Sequence, residues 1–288
     1  MQFLPSKKFF HQNEMACRFL RAPSHEEMLV LMIPGGPSLS GKYLDHFLSA
    51  LAQEMNVNVG IIDLPNHGDS ILLPDRFPLS YQKTMELIDE TIREISKSCG
   101  KLMLFGQSFG ARVAFDLLAL SNIKMDGAFL TGFPYVFQVS QIMQQRIKTL
   151  NLSECRHIDN KEEQQRLAWS KIVQLYTFSP LAPEIYDALT SDTKFSGNEQ
   201  ILSVVPSITQ SIDALSKKAG VPIGILQGDF DCVVPDDNLS ILKKLLPQAH
   251  FFEIKKCGHF PMIENQTETL QAFSHFFSSI HGNIKEDQ

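Results

Sequence analysis

The chain has 288 residues, 43% of them apolar and 20% charged, with a net charge of −6. That balance predicts a folded protein with one large α/β domain and room for an insertion, and it excludes a disordered chain. No basic run is available to neutralise phosphates, pairs such as Lys7-Lys8 and Lys255-Lys256 reading as solvated surface, so no nucleic-acid partner is expected.

At the N-terminal end Pro5, Lys7, Lys8, His11 and Glu14 interrupt any apolar core of signal-peptide length, and no window of the chain approaches a membrane span. A hairpin is predicted there, with Phe9-Phe10 in one strand, a turn at Gln12-Asn13, and 17–20 in the second. Strands and helices then alternate. Strands are predicted at 28–33, 57–63, 101–105, 128–131, 223–227 and 251–254, and helices at 43–55, 81–97, 111–120, 237–245 and 267–279. Such alternation predicts a mostly parallel central sheet flanked by helices on both faces, with loops and ligands at the carboxyl edge of its strands.

The alternation stops between residues 133 and 218, where no convincing strand occurs. Val136, Val139, Met143, Ile147 and Leu150 lie at helical spacing, as do Leu167, Val173 and Tyr176 with Trp169 nearby. The stretch is read as a helical insertion following the sixth strand, a cap over the sheet edge, leaving 1–132 and 219–288 as the core. Its apolar positions Phe137, Met143, Trp169 and Tyr176 are candidates for the wall of a substrate pocket.

The most informative segment is Gly106-Gln107-Ser108-Phe109-Gly110, placed where the 101–105 strand gives way to a helix. A strand that reverses into a helix within a few residues forces its central residue into a strained conformation, and flanking glycines let the two backbones cross. The hydroxyl of Ser108 is thereby presented as a nucleophile. Such a hydroxyl needs a base, and the base needs a group that fixes its tautomer. Gly228-Asp229-Phe230-Asp231 follows the 223–227 strand and Gly258-His259-Phe260 follows the 251–254 strand, so both loops reach the same sheet edge as Ser108. The order Ser108, Asp231, His259 is the one expected for an elbow serine, with Asp229 as the competing acid. Acyl transfer also requires backbone donors for an oxyanion. Gly36, in Pro34-Gly35-Gly36-Pro37, is assigned the first donor ahead of Gly35, and Phe109, directly after the nucleophile, the second.

Cys17, Cys99, Cys155, Cys232 and Cys257 are odd in number and scattered, which suggests neither a disulfide framework nor a zinc site. They read as reduced thiols of a cytoplasmic protein. No metal or organic cofactor is implied.

With these motifs the chain resembles the α/β-hydrolase superfamily over nearly its whole length. Pro34-Gly35-Gly36-Pro37 is similar to its His-Gly-Gly-Pro oxyanion loop, and Asp63-Leu64-Pro65-Asn66-His67-Gly68-Asp69-Ser70 to its Asp-x-Pro-Gly-His-Gly-x-Ser loop. Gly106 to Gly110 resembles its elbow, and Gly258-His259-Phe260-Pro261 its histidine loop. The resemblance implies an α/β-hydrolase fold with a mobile helical cap, an acyl-enzyme on Ser108, and a bracing role for His67. Pro34 stands where the family has histidine, so bracing of the oxyanion loop has to come from elsewhere. Asn66 replaces a glycine, which asparagine's tolerance of left-handed backbone permits.

Gly35-Gly36-Pro37-Ser38 followed by Tyr43-Leu44 also looks like the prolyl iminopeptidases, whose cap carboxylates hold a free amino terminus. Glu154, Asp159, Glu162, Glu163, Glu184 and Asp187 are the carboxylates available for that here. Three functions follow from the sequence. The first is a serine hydrolase of a small, largely apolar carboxylic ester or thioester; the second is an iminopeptidase-like aminopeptidase or amidase; the third is a non-catalytic binding protein on the same fold.

Overall fold

Every residue of β3 (Met28–Ile33) is buried, and its side chains divide alternately between two apolar layers. Leu29, Leu31 and Ile33 join one layer while Met28, Val30 and Met32 join the other, the period of two that an extended chain imposes. A strand with both faces buried sits in the middle of a sheet covered on both sides.

The computed structural model describes residues 6–10, 15–20, 27–70, 80–191, 205–218 and 220–281. The other strands are β1 (Ser6–Phe10), β2 (Met15–Leu20), β4 (Asn58–Asp63), β5 (Lys101–Gln107), β6 (Gly127–Thr131), β7 (Ile223–Gly228) and β8 (His250–Ile254). They form one sheet in the order β1-β2-β4-β3-β5-β6-β7-β8. The first two strands pair antiparallel, with each other and with β4, and the rest are parallel. The expected hairpin is β1–β2, its turn at Gln12-Asn13 lying outside the described residues.

On one face, α2 (Tyr81–Ser96), α3 (Phe109–Leu120) and α8 (Asn238–Leu245) bury side chains such as Ile88, Val113 and Leu242 against the Leu29 layer. On the other, α1 (Asp45–Met55) and α9 (Gln266–His281) bury Phe47, Leu51, Phe273 and Phe276 against the Val30 layer. At about 1.5–3 kcal/mol for each large apolar side chain removed from water, these two layers dominate the stability of the core.

Between β6 and β7 the described residues are helical or irregular, without a strand. They contain α4 (Gln141–Thr149), a 3₁₀ turn at Ser153–His157, α5 (Lys161–Ile172), a second 3₁₀ turn at Val173–Tyr176, α6 (Pro183–Thr190) and α7 (Ile208–Leu215). Helix α4 starts later than the spacing of Val136 and Val139 suggests, because Ser140 caps it, its Oγ accepting the Met143 N–H at 3.0 Å. The same hydroxyl donates to the Cys232 carbonyl at 2.6 Å, tying the start of this region to the loop after β7. Helix α7 buries Ile208 and Leu215 in the same layer as α3. No helix among the described residues is long and apolar enough to cross a membrane.

Candidate active site

Ser108 joins β5 to α3 at φ 52° and ψ −117°, a region that costs a non-glycine residue roughly 1–3 kcal/mol. Both neighbouring glycines are sterically required. A Cβ at Gly106 would lie 2.4 Å from the Ala111 Cα, and one at Gly110 would lie 2.2 Å from the carbonyl oxygens of Ile33 and Pro34. The turn is held by Ser108 N–H, which donates to the Thr131 carbonyl at 2.8 Å, while the Ser108 side chain caps nothing on α3.

After β7 and β8, Asp231 and His259 meet in a buried contact. The His259 Nδ1 lies 2.9 and 2.8 Å from the two carboxylate oxygens of Asp231, and both side chains are buried. A carboxylate accepts only, so Nδ1 carries a proton, and in the neutral imidazole Nε2 keeps its lone pair. Nε2 is buried and has no hydrogen-bond partner among the described residues, which leaves it available to take a proton. Val233 N–H donates to Asp231 Oδ1 at 3.0 Å and fixes the carboxylate. Gly132, at φ 55°, completes the fit, because a Cβ there would come within 2.9 Å of the imidazole. Asp229 faces elsewhere: it accepts the Cys257 N–H at 3.3 Å and lies 3.9 Å from Lys255.

The loop carrying His259 is clamped by groups that sequence reading missed. His259 N–H donates to the Tyr176 carbonyl at 2.7 Å, and the His259 carbonyl accepts from Gln107 Nε2 at 3.2 Å. Glu264 accepts the backbone N–H groups of Gly258, Phe260 and Phe178, at 3.0, 3.2 and 2.6 Å. Burial raises its carboxyl pKa, and those three donors with the nearby His259 offset the rise only in part. The spacing of Glu264 from His259 was visible, but an isolated glutamate after an apolar turn carries no signal of what it binds. Burial pushes the thiols of Cys257 and Cys232 upward, Arg146 partly countering this at Cys232.

The loop after β3, which carries Gly35 and Gly36, is pinned at both ends. Gly35 N–H donates to the Tyr43 hydroxyl at 2.8 Å and Ser38 N–H to His67 Nε2 at 2.5 Å. His67 is itself oriented by the Pro65 carbonyl, 2.7 Å from Nδ1, so His67 and Tyr43 supply the bracing that Pro34 cannot. Asn66 adopts φ 63°, the left-handed backbone expected of it. Since Pro37 has no N–H, Gly36 carries the one N–H of residues 35–38 not engaged by these contacts. The Phe109 N–H, at the first position of α3, has no acceptor within its helix.

Ser108, Gly36 and His259 line one cavity of about 400 Å³, within the range of small-molecule sites. Its walls are mostly apolar, including Leu39, Val136, Val139, Val234 and Phe260, and among the described residues no carboxylate lines it. Phe137, Trp169 and Tyr176 also line it. Met143 does not. It is fully buried with its sulfur 3.9 Å from that of Cys232, because its place on α4 turns it into the packing between the insertion and the loop after β7. Tyr176 stands edge-on to the His259 ring at 5.6 Å and Trp169 edge-on to Tyr176 at 5.2 Å. Among the described residues no group of three or more His, Cys, Asp or Glu is placed to hold a metal ion.

Residues 29–266 match the family model described as alpha/beta hydrolase fold. The chain belongs to the α/β-hydrolase family. Lipase 1 of Psychrobacter immobilis is 24% identical to this α/β hydrolase over 103 residues, 34% of the chain and 32% of the lipase. The chain spans about a third or less of the length of the curated relatives it matches. Among solved structures, the 2-hydroxy-6-oxo-6-phenylhexa-2,4-dienoate hydrolase of Rhodococcus sp. strain RHA1 aligns with a TM-score of 0.72 and 18% identity, covering 96% of this chain and 99% of its own. MenH from S. aureus aligns with a TM-score of 0.69 and 19% identity, covering 92% and 98%. At these identities the likeness is one of fold.

Proposed function

We propose that this α/β hydrolase is a serine hydrolase that cleaves a small, largely apolar carboxylic ester or thioester through an acyl-enzyme. The observation that carries the reading is the buried Nε2 of His259, without a hydrogen-bond partner among the described residues, on a ring held by Asp231 and lining the same cavity as Ser108. As Ser108 Oγ attacks the carbonyl carbon, Nε2 takes the hydroxyl proton, and Asp231 stabilises the imidazolium without accepting that proton. The carbonyl electrons move onto oxygen, where the N–H groups of Gly36 and Phe109 receive the charge. Collapse breaks the bond to the alcohol or thiol, which leaves with the proton from Nε2, and water repeats the sequence on the acyl-enzyme. In the free enzyme Ser108 and His259 need not be bonded, since such contacts commonly tighten only with substrate in place.

The apolar walls favour a neutral acyl group over a charged one. An iminopeptidase-like reading would need a carboxylate to pair with the substrate's amino terminus, and none of Glu154, Asp159, Glu162, Glu163, Glu184 or Asp187 lines the cavity. Glu154 pairs instead with Lys171 on the surface. The Psychrobacter relative, named a lipase, agrees with ester chemistry. The residues between β6 and β7 act in this reading as a cap that selects the acyl group. The test is to assay p-nitrophenyl esters of increasing chain length beside prolyl and alanyl arylamides, with fluorophosphonate labelling of the same preparation. Ester turnover with a label on Ser108 is expected. A preference for the prolyl arylamide would replace the esterase with the aminopeptidase, and absence of both turnover and label would leave a binding protein.

A further inference from the structure

One buried chain of hydrogen bonds connects the oxyanion loop with the histidine loop, and it passes through the residue before Ser108. Gln107 is fully buried, and both ends of its amide are engaged. Its Nε2 donates to the His259 carbonyl at 3.2 Å, its Oε1 accepts from the Tyr43 hydroxyl at 2.9 Å, and that hydroxyl accepts the Gly35 N–H at 2.8 Å. The direction of the chain is forced. A carbonyl only accepts, so the amide nitrogen faces His259, the amide oxygen faces Tyr43, and the Tyr43 hydroxyl donates to it while receiving Gly35 N–H on a lone pair. Burial pushes the Tyr43 hydroxyl pKa upward, which keeps that proton in place. The loop also rests directly on the amide, since a Cβ at Gly35 would lie 1.9 Å from Gln107 Oε1.

We propose that Gln107 is a positioning residue for acyl transfer, setting through Tyr43 and the His259 backbone the spacing between the Gly36 donor and the His259 base on either side of Ser108. The role rests on the reading of Ser108 and His259 as nucleophile and base. Strand pairing alone does not hold these loops together, because β3 and β8 are separated in the sheet by β5, β6 and β7. Gln107 is well placed as the fixed point, being covalently next to Ser108 and in register with Thr131. A misplacement of about 1 Å between reacting groups can cost on the order of 100-fold in rate, so a link between donor and base acts on turnover more than on binding.

Three variants test it. Tyr43→Phe keeps the ring and removes the hydroxyl; Gln107→Glu keeps the shape but sets a carboxylate oxygen against the His259 carbonyl; Gln107→Leu removes both bonds. For Tyr43→Phe and Gln107→Glu, kcat per fluorophosphonate-titrated site should fall roughly 10- to 100-fold, with KM within about threefold of wild type. The double variant should lose no more than the worse single one, because both groups are links of one chain. An unchanged kcat per titrated site, or losses that multiply, would overturn the proposal. Amide hydrogen exchange provides a readout independent of turnover: Gln107→Leu should speed exchange at Gly35, which a purely local packing role would leave protected. Unchanged protection at Gly35 would overturn the chain even where wild-type turnover is normal. A wild type that neither cleaves esters nor takes the label would instead sink the hydrolase reading, with Gly35 exchange still reporting on the chain itself.

Discussion

Helices α3 and α5 both adjoin the same cavity, one through Ser108, which directly precedes its first residue, and the other through Trp169, yet they are packed in opposite ways. Eleven of the twelve residues of α3 are buried, from Phe109 to Ala119, whereas α5 has no buried residue. At about 1.5–3 kcal/mol for each large apolar side chain buried, α3 cannot shift without giving up much of the core. Helix α5 is held by half-buried contacts, by Trp169 Nε1–H donating to the Leu189 carbonyl at 2.7 Å, and by an exposed Lys171–Glu154 pair that adds little. The difference separates two jobs. In the proposed mechanism the reacting groups are anchored where displacement is costly, and the wall that would meet the substrate is anchored where sequence can change at small cost to stability.

The comparison breaks if removing core chemistry leaves activity behind. Ser108→Ala deletes one hydroxyl that makes no capping bond, so the protein should stay folded while kcat falls on the order of a million-fold. Circular dichroism and thermal melting check the fold, ester hydrolysis the rate, and activity above about a tenth of wild type would remove Ser108 from the mechanism. Asp231→Asn comes next. It presents an amide to His259 Nδ1 in place of an acceptor, favours the wrong tautomer, and should cost up to about ten thousand-fold in kcat. Asp229→Asn keeps an amide oxygen for the Cys257 N–H, loses only the charge facing Lys255, and should cost far less. A reversal of the two effects would exchange their roles.

That contrast between Asp231 and Asp229 also marks how far the sequence could be read. The elbow was legible because its demand is local: Gly106 and Gly110 are needed wherever two backbones cross, whatever surrounds them. The sheet was legible because burial on both faces writes continuous apolar runs such as Met28–Ile33. Tyr43, Gln107 and Glu264 were not, since their bonds join residues 64, 152 and 86 positions apart, and a buried polar side chain shows in sequence only as an isolated polar letter. Helices α6 and α7 were missed too. They are eight-residue elements of about two turns each, and unlike the equally short α8 they do not stand singly between two predicted strands that would mark them out.

Glu264 lies between the two regions and sharpens the comparison, because it bonds the core histidine loop and Phe178 from the insertion at once. Both its oxygens receive N–H donors, so Glu264→Gln would turn an amide N–H against backbone N–H groups. We expect a roughly tenfold fall in kcat with little change in KM, smaller than for Asp231→Asn because the imidazole keeps its direct partner. Loss of thermal stability with kcat per titrated site unchanged would reduce Glu264 to a structural brace.

The smallest expected effect falls on the insertion itself. Trp169 contacts Tyr176 edge-on at 5.2 Å and lines the cavity, but sits on a helix with no buried residue. Trp169→Ala should therefore open the acyl wall at modest cost to the melting temperature. Because one methylene in an apolar pocket is worth about 10- to 200-fold in discrimination, the enlarged site should raise kcat/KM for longer esters relative to butyrate by about tenfold. The rate of fluorophosphonate labelling at Ser108 should stay within about threefold of wild type, since the base, acid and oxyanion donors are set from the core. A p-nitrophenyl ester series from acetate to decanoate measures both halves of this expectation. An equal loss on every chain length would mean that Trp169 acts through Tyr176 on the His259 loop, and the division between anchored chemistry and adjustable wall would fail at the residue where it is drawn most sharply.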